Sequence, residues 1–126
     1  MRLIYHITTG LLTGLLAADG TQLDASGYSG HPPHVNDVGA QGLHAQGPIP
    51  AGTWKLGEPA DHPNLGPLAI PLEPADGTDT FGRDGFFIHG DSIEHPGFAS
   101  HGCIVLPRDV RQAVASSGET FIEVVP

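Results

Sequence analysis

Residues 85–90 read Gly-Phe-Phe-Ile-His-Gly and residues 103–107 read Cys-Ile-Val-Leu-Pro, and these two apolar runs decide the fold class. Runs of this length, rich in aromatic and β-branched residues and bounded by Gly or Pro, are typical of buried strands. After the second run, apolar residues recur at helical spacing until Gly118, which predicts one short helix over residues 108–117.

The remainder of the chain reads as strands joined by turns. Residues 2–7 and 11–16 predict a β-hairpin, and a polar turn at Ala18-Asp19-Gly20 follows it. Residues 24–50 are rich in Gly and Pro and predict a long irregular segment, of the kind that usually carries function. Further strands are predicted at residues 53–56, 67–72 and 120–125. A turn at Asp76-Gly77 follows the second of these strands.

Composition agrees with a single β-rich domain over residues 1–126. The chain contains Gly 18 and Pro 12, more than a largely helical protein tolerates, because Gly costs backbone entropy and Pro lacks an N–H donor. Hydrophobic residues make up 39%, which is enough for a modest core. Polar and Gly residues interrupt the apolar start of the chain, so we expect no standard signal peptide and no membrane span.

Net charge narrows the choice of partners. Lys and Arg number 5 against 14 Asp and Glu, a formal charge of −9 at pH 7. Phosphate backbones and anionic membrane surfaces both attract basic proteins, so we expect neither nucleic acid binding nor membrane insertion. Three of the cations, Arg83, Arg108 and Arg111, nevertheless flank the most informative segment and predict a local corner that binds carboxylates.

The lone cysteine, Cys103, is the main candidate for chemistry. It excludes an internal disulfide and a cysteine-based zinc cluster. It follows Gly102 at the mouth of a strand, with His89 and His101 near it in the sequence, and an imidazole can take the proton from a thiol to form the reactive thiolate. The amides of Gly102 and Cys103 would then face a developing oxyanion. Spacing alone leaves open that Cys103 is a small buried hydrophobe.

The other polar clusters carry weaker signals. His31-Pro-Pro-His34, with His44 and His62, suggests zinc, but two histidines on a Pro-rich loop share no fixed face and no His-Glu-x-x-His array is present. We therefore expect no metal and no cofactor. Residues 27–30, Gly-Tyr-Ser-Gly, lack the spacing of a Gly-x-Ser-x-Gly elbow, which argues against a serine hydrolase.

Several motifs occur together in an order that resembles a known family. Residues 100–103, Ser-His-Gly-Cys, with His89 14 residues before the cysteine, resemble the signature of the YkuD-type L,D-transpeptidases. The sequence is most similar to a small branch of that superfamily, the L,D-transpeptidase-like effectors of type VI secretion and related phage proteins. The blocks that carry this similarity are residues 28–31, 47–54, 82–91 and 102–106.

The resemblance implies a mainly β, β-sandwich-like catalytic fold with one short helix after the catalytic strand. It also implies a cysteine enzyme acting on peptidoglycan stem peptides. The family's cysteine attacks the carbonyl between the L-centre of a diaminopimelate residue and the terminal D-alanine, which leaves as a thioester forms. Water, a free D-amino acid or another stem's side-chain amine resolves the thioester, giving L,D-carboxypeptidase, exchange or L,D-transpeptidase activity.

By position, the resemblance assigns Cys103 as the nucleophile and His89 as its general base. The carbonyl of Gly90 would hold the His89 ring in the useful tautomer, as the third member of a triad does. His101 lies two residues before the cysteine, so in an extended chain both side chains share a face. We expect His101 to contact substrate or to shuttle protons.

The substrate carboxylate needs a cationic partner, and the residue that supplies it in many family members is absent from this chain. Many members have an arginine two residues after the cysteine, where this chain has Val105. Arg83 and Arg111 are therefore the candidates for binding that carboxylate.

Four further residues are assigned to the substrate-binding wall. Tyr28 and His31 belong to one of the similar blocks and are expected to line the cleft. Ser100 is expected to hydrogen-bond within a turn rather than to react. Asp91 is expected either to cap a turn after the catalytic strand or to bond a histidine.

The sequence thus predicts a peptidoglycan-modifying antibacterial effector. It would be made in the cytoplasm and would act in the periplasm of a target cell after delivery by a secretion system or a phage, with a cognate immunity protein as a partner. Two alternatives remain: a non-catalytic peptidoglycan-binding or virion structural module of the same fold, favoured by Val105, and a zinc hydrolase.

Overall fold

The protein is mainly β with one short helix, as the sequence predicts. The computed structural model describes residues 3–16 and 19–126, and no helix among them has the length and hydropathy of a membrane-spanning segment. Within these residues lie one α-helix, α1 (Arg108–Ala115), and a 3₁₀ turn at Val38–Ala40. The strands of the same residues are β1 Leu3–His6, β2 Leu11–Leu15, β3 Gln22–Ser26, β4 Tyr28–Ser29, β5 Gly52–Leu56, β6 Ala60–His62, β7 Gly66–Pro74, β8 Phe87–His89, β9 Ile104–Val105 and β10 Phe121–Val125.

These strands form one sheet whose two ends meet. The strand order is β3-β2-β1-β10-β5-β7-β8-β9-β4, with β6 paired to β7. The β1–β10 and β8–β9 pairs are parallel. β3 and β4 stand at opposite ends of the order, yet only Gly27 separates them along the chain. The sheet therefore closes almost completely on itself.

Gly27 makes this closure possible. Its N–H donates to the carbonyl oxygen of Gly10 at 2.8 Å, and a Cβ at position 27 would collide with the carbonyl oxygen of Val105. A Cβ on Gly10 would in turn collide with the carbonyl oxygen of Gly27. The two glycines let backbone segments from both ends of the sheet touch without an intervening side chain.

The core is built by alternation along the strands. Leu3, Tyr5 and Ile7, on and just after β1, are fully buried, and Ile122 and Val124 of the neighbouring β10 are buried as well. Side chains two residues apart in a strand share a face, so these residues pack together inside the closed sheet. Burying each large apolar side chain stabilises the fold by about 1.5–3 kcal/mol.

Most predicted elements are confirmed. β1 and β2 form the predicted antiparallel hairpin, and β5, β7, β8, β9 and β10 occupy the predicted strand positions. The helix ends at Ala115, two residues earlier than predicted. Residue 2 of the predicted hairpin and Ala18 of the predicted turn lie outside the described residues.

The prediction of an irregular segment over residues 24–50 is wrong at its start. β3 extends to Ser26 and β4 occupies Tyr28–Ser29, and β6 also has no counterpart in the prediction. β3 reads Gln-Leu-Asp-Ala-Ser and lies at one end of the sheet order, while β4 is two residues long. Neither strand has the apolar run that makes a strand visible in sequence.

Candidate active site

Strands β8 and β9 are paired; β8 carries His89, and β9 leads out of Cys103. They run parallel, with Ile88 paired to Ile104 and His89 paired to Val105. Extending this register by one residue places Cys103 beside the residue before Ile88. Cys103 lies one residue before β9, and among the described residues no hydrogen bond joins its Sγ to His89. Ile88 and Ile104 are fully buried in the core.

His89 is held in one tautomer with one nitrogen unused. Its Nδ1 lies 2.8 Å from the carbonyl oxygen of Gly90, and since a carbonyl only accepts, Nδ1 carries the proton. Nε2 is then an acceptor, and it is buried with no hydrogen-bond partner among the described residues. Burial lowers the pKa of His89, and the charge of Arg111 lowers it further, against the opposing hydrogen bond to Gly90. The ring is therefore neutral at pH 7, the state that a base requires.

Cys103 is half-buried and rests as a thiol. Its Sγ lies 3.7 Å from the carbonyl oxygen of Gly85, to which it donates. Burial raises the pKa of Cys103 to about 11, while a backbone hydrogen bond from Phe87 and the charge of Arg83 oppose this rise. The sulfur thus becomes nucleophilic when a neighbouring base removes its proton.

The two groups open into neighbouring cavities. A cavity of about 630 Å³ is lined by His89 and Asp91 among others, and one of about 330 Å³ is lined by Cys103 and Arg83 among others. His101 lines both. His101 is therefore the residue that the cavity at His89 and the cavity at Cys103 share.

The site falls within a recognised domain. The family model of the Tlde1 domain matches residues 24–123, a range that includes every residue assigned to the site. This chain belongs to the Tlde1 domain family. Tlde1 is the type VI secretion L,D-transpeptidase effector domain, which confirms the effector branch indicated by the motif blocks. The wider resemblance to YkuD-type enzymes stays a prediction. No curated protein sequence matches the chain.

Ser100 ties together the loop that precedes the cysteine in this Tlde1 domain. Its hydroxyl is fully buried, donates to the carbonyl oxygen of Cys103 at 2.6 Å, and accepts from the N–H groups of Gly30 at 2.9 Å and Gly102 at 3.1 Å. The hydroxyl therefore bonds within the loop, and contact with substrate stays a prediction.

The two predicted oxyanion donors differ in availability. The Gly102 N–H already donates to Ser100, whereas the Cys103 N–H makes no hydrogen bond in residues 3–16 and 19–126. The carbonyl of Gly102 also accepts from Ser29 Oγ at 3.0 Å, and Ser29 in turn accepts from the Ile49 N–H at 2.9 Å. No role in the site was predicted for Ser29 from the sequence, although it belongs to the 28–31 block. An oxyanion role for either amide stays a prediction.

His101 and His31 of the Tlde1 domain stack face to face. Their ring centroids lie 4.5 Å apart at an interplanar angle of 13°, and Phe98 packs edge-on against His31. Nδ1 of His101 bonds the carbonyl oxygen of Ala45 at 3.1 Å, and Nδ1 of His31 bonds that of Ser100 at 3.2 Å. Both rings are thus fixed through Nδ1, and Nε2 of each has no hydrogen bond among the described residues.

Tyr28 and Asp91 fasten the loop between β8 and β9. The Tyr28 hydroxyl donates to Oδ1 of Asp91 at 2.6 Å and accepts from the Ala99 N–H at 3.0 Å. Burial and this carboxylate raise the pKa of Tyr28 to about 12. Asp91 also accepts from the N–H groups of Ser92 and Gly97. Asp91 therefore caps a turn, one of the two roles left open by the sequence.

Both arginines predicted to bind carboxylates are buried against backbone carbonyls. Arg111 donates from Nε to Leu106, and from Nη1 to Pro67 and Leu68, at 2.8–3.3 Å. Arg83 donates to four carbonyl oxygens. Neither is more than 7% exposed. The structure thus shows anchoring contacts for both, and their binding of a substrate carboxylate stays a prediction.

The histidines behind the zinc alternative are dispersed. His34 pairs with Asp37 at 3.1 Å, and Nδ1 of His62 accepts from the Asn64 N–H at 3.0 Å. Throughout the described part of the Tlde1 domain, no group of three or more His, Cys, Asp or Glu side chains is placed to hold a metal ion.

Proposed function

We propose that this Tlde1 domain is a cysteine enzyme that removes or exchanges the terminal D-alanine of peptidoglycan stem tetrapeptides through a thioester. One observation carries the proposal: Nδ1 of His89 bonds Gly90, and its buried Nε2 has no hydrogen-bond partner among the described residues, on a strand paired with the one that follows Cys103. Membership of the L,D-transpeptidase effector family supports the choice of substrate.

In the proposed mechanism His89 acts first as a base and then as an acid. As Sγ of Cys103 attacks the carbonyl carbon between the diaminopimelate L-centre and D-alanine, the thiol proton passes to Nε2 of His89. The C–N bond then breaks, the imidazolium returns the proton to the departing amino group, and D-alanine leaves the acyl group on sulfur. The free N–H of Cys103 supports this step because it can bond the oxyanion.

Three acceptors can complete the reaction. Each attacks the thioester carbonyl, gives a proton to His89 and releases the sulfur, which recovers that proton. Water yields the tripeptide, a D-amino acid yields the exchanged tetrapeptide, and the side-chain amine of another stem yields a 3–3 cross-link. The two cavities that meet at His101 provide room for an acyl group and an acceptor. We assign the unpaired Nε2 of His101 to substrate contact or proton transfer between them.

A muropeptide assay tests the proposal. The purified protein, incubated with a disaccharide tetrapeptide, should release D-alanine and give the tripeptide by mass spectrometry. Brief incubation should leave an acyl adduct on Cys103, and added D-methionine should give the exchanged tetrapeptide. The same muropeptide ending in L-alanine is the control and should stay intact. A folded protein that leaves the D-alanine form intact as well would contradict the proposal.

Replacing Gly90 by alanine is expected to lower kcat at least about tenfold, because it displaces the group that orients His89. The new Cβ would lie 2.8 Å from Nη2 of Arg111 and 3.2 Å from its Cζ. Three hydrogen bonds to carbonyls hold that guanidinium, so the backbone at position 90 must give way.

Kinetics of D-alanine release, with circular dichroism to verify folding, measure the effect of Gly90→Ala. Gly39→Ala is the control, since its nearest neighbour would be Oδ1 of Asp37 at an ordinary 3.5 Å. Unchanged kcat in Gly90→Ala would show that the Gly90 carbonyl does not control His89.

A non-catalytic peptidoglycan-binding module is the second candidate function. It is favoured by the buried Val105, where many relatives have arginine, and by the engagement of Arg83 and Arg111 with backbone carbonyls. Such a module would bind tetrapeptides in an equilibrium titration without releasing D-alanine. The mass spectra of the same samples separate the two functions.

The family also supports proposals about where the protein works. Type VI effectors are delivered into other cells, so we propose that this domain acts on the periplasmic cell wall of a target cell. A cognate immunity protein would then protect the producing cell.

A further inference from the structure

We infer that Arg83 is a positioning residue that fixes the backbone around Cys103 and stabilises its thiolate, rather than the ligand of the substrate carboxylate. The inference rests on the proposed function only in treating Cys103 as the nucleophile. It is carried by three observations: the hydrogen bonds of the guanidinium, its burial beside the cysteine, and its contact with Gly102.

The terminal N–H groups of Arg83 are all in use. Nη1 donates to the carbonyl oxygens of Gln41 at 2.6 Å and Pro48 at 2.9 Å, and Nη2 donates to those of Gly47 at 2.9 Å and His101 at 3.2 Å. A guanidinium has four terminal N–H groups, and it grips a carboxylate with a parallel pair of N–H donors. No such pair remains at Arg83 for a substrate.

These four carbonyls come from two separate segments. Three belong to residues 41–48, and the fourth belongs to His101, two residues before the nucleophile. Residues from both segments line the cavity that contains Cys103. Arg83 therefore joins the two walls of that cavity and fixes the peptide that leads into the cysteine.

The positive charge of Arg83 is also placed to act on the sulfur. The side chain is 7% exposed, its Cζ lies 5.1 Å from the centre of the Phe86 ring, and it lines the same cavity as Cys103. The guanidinium opposes the rise in the pKa of Cys103 that burial causes. Since carbonyl oxygens are neutral, the four hydrogen bonds hold the cation without cancelling its charge.

Gly102 shows how closely the guanidinium approaches the nucleophile. Its φ is +139°, and a Cβ there would collide with Nη2 of Arg83 and lie 3.0 Å from Cε1 of Phe86. The guanidinium thus occupies the space that a side chain at position 102 would need, directly before Cys103. This contact gives a physical reason for glycine in the Ser-His-Gly-Cys motif of this chain.

The test measures the sulfur itself, without substrate. Wild type, Arg83→Gln and Arg83→Lys are alkylated at pH 8 with iodoacetamide. This reagent is neutral, so the charge at position 83 does not attract it directly. The rate follows the thiolate fraction, and an opposite charge nearby shifts a pKa by about 1–3 units. We expect Arg83→Gln to react at least about tenfold more slowly and Arg83→Lys within about threefold of wild type. Lys55→Gln, the loss of an exposed cation on β5, is the control and should match wild type.

Steady-state kinetics provide the second readout. We expect Arg83→Lys to lower kcat, because one ammonium cannot hold four carbonyls, with KM within about threefold for both the tetrapeptide and its C-terminal amide. A KM increase confined to the free acid would identify Arg83 as the carboxylate ligand and overturn the inference. Equal alkylation of folded Arg83→Gln and wild type would overturn it as well. Wild type that alkylates as expected but releases no D-alanine would contradict the proposed function and leave the inference standing.

Discussion

Cys103→Ala is expected to reduce D-alanine release by at least about 10⁴-fold, because it removes the one cysteine of the sequence and with it the thiol that forms the acyl intermediate. The thiol lines a cavity beside the one that His89 lines, and the part of the chain that the structure describes has no second cysteine. The measurement is the release of D-alanine from a disaccharide tetrapeptide, with intact-protein mass spectrometry to detect the acyl adduct in wild type and its loss in the variant.

Two controls accompany Cys103→Ala. Cys103 is half-buried, so its thermal midpoint should stay near that of wild type, which separates lost chemistry from lost folding. Cys103→Ser keeps the geometry with a poorer nucleophile and should also be strongly impaired. Turnover by folded Cys103→Ala within tenfold of wild type would exclude the thioester route.

His89→Gln is expected to lower kcat by about 10²–10⁴-fold, because its amide cannot accept the thiol proton. Burial and Arg111 hold the pKa of His89 below its usual value of 6.5 in the folded protein. The ring is therefore neutral above pH 6.5, and activity should fall only as the pH drops through the lowered pKa and Nε2 becomes protonated. On the alkaline side the thiol, with a pKa of about 11, should impose no loss between pH 7 and 9.

The measurement for His89 is kcat/KM between pH 4.5 and 9. Wild type should show an acid limb of slope one that begins below pH 6.5, and His89→Gln should lack that limb. His95→Gln is the matched control, because His95 is an exposed histidine lining the same cavity. An acid limb retained in His89→Gln would assign the titration to another group and remove His89 as the base.

The sequence predicted one contact of the candidate site. The resemblance assigned His89, Gly90 and Cys103 as base, orienting carbonyl and nucleophile, and the structure places the Gly90 carbonyl oxygen 2.8 Å from Nδ1 of His89. The roles of His89 and Cys103 stay predictions. The parallel pairing of β8 with β9 had no sequence signal. Apolar runs predict strands, but pairing depends on contacts between segments distant in sequence.

The arginine contacts show why the rest of the candidate site could not be predicted from the sequence. The partners of Arg83 and Arg111 are backbone carbonyls, and a carbonyl is present at every residue, so no residue type reveals the contact. The missing arginine at position 105 led instead to the prediction that Arg83 or Arg111 binds the substrate carboxylate. The pKa of Cys103 was hidden for the same reason, since it reflects burial and not neighbours in sequence.

The single-residue junction at Gly27 limits where this protein can be modified. The backbone of Gly27 packs against the carbonyl oxygen of Val105, two residues after Cys103. A peptide tag or fluorescent reporter inserted at Gly27 would therefore separate β4 from β9. The Asp76-Gly77 turn is exposed, and a Cβ at Gly77 would meet no atom within 4 Å. Exposed turns tolerate inserted segments, which makes residues 76–77 the better position for a label with which to test the proposed delivery into target cells.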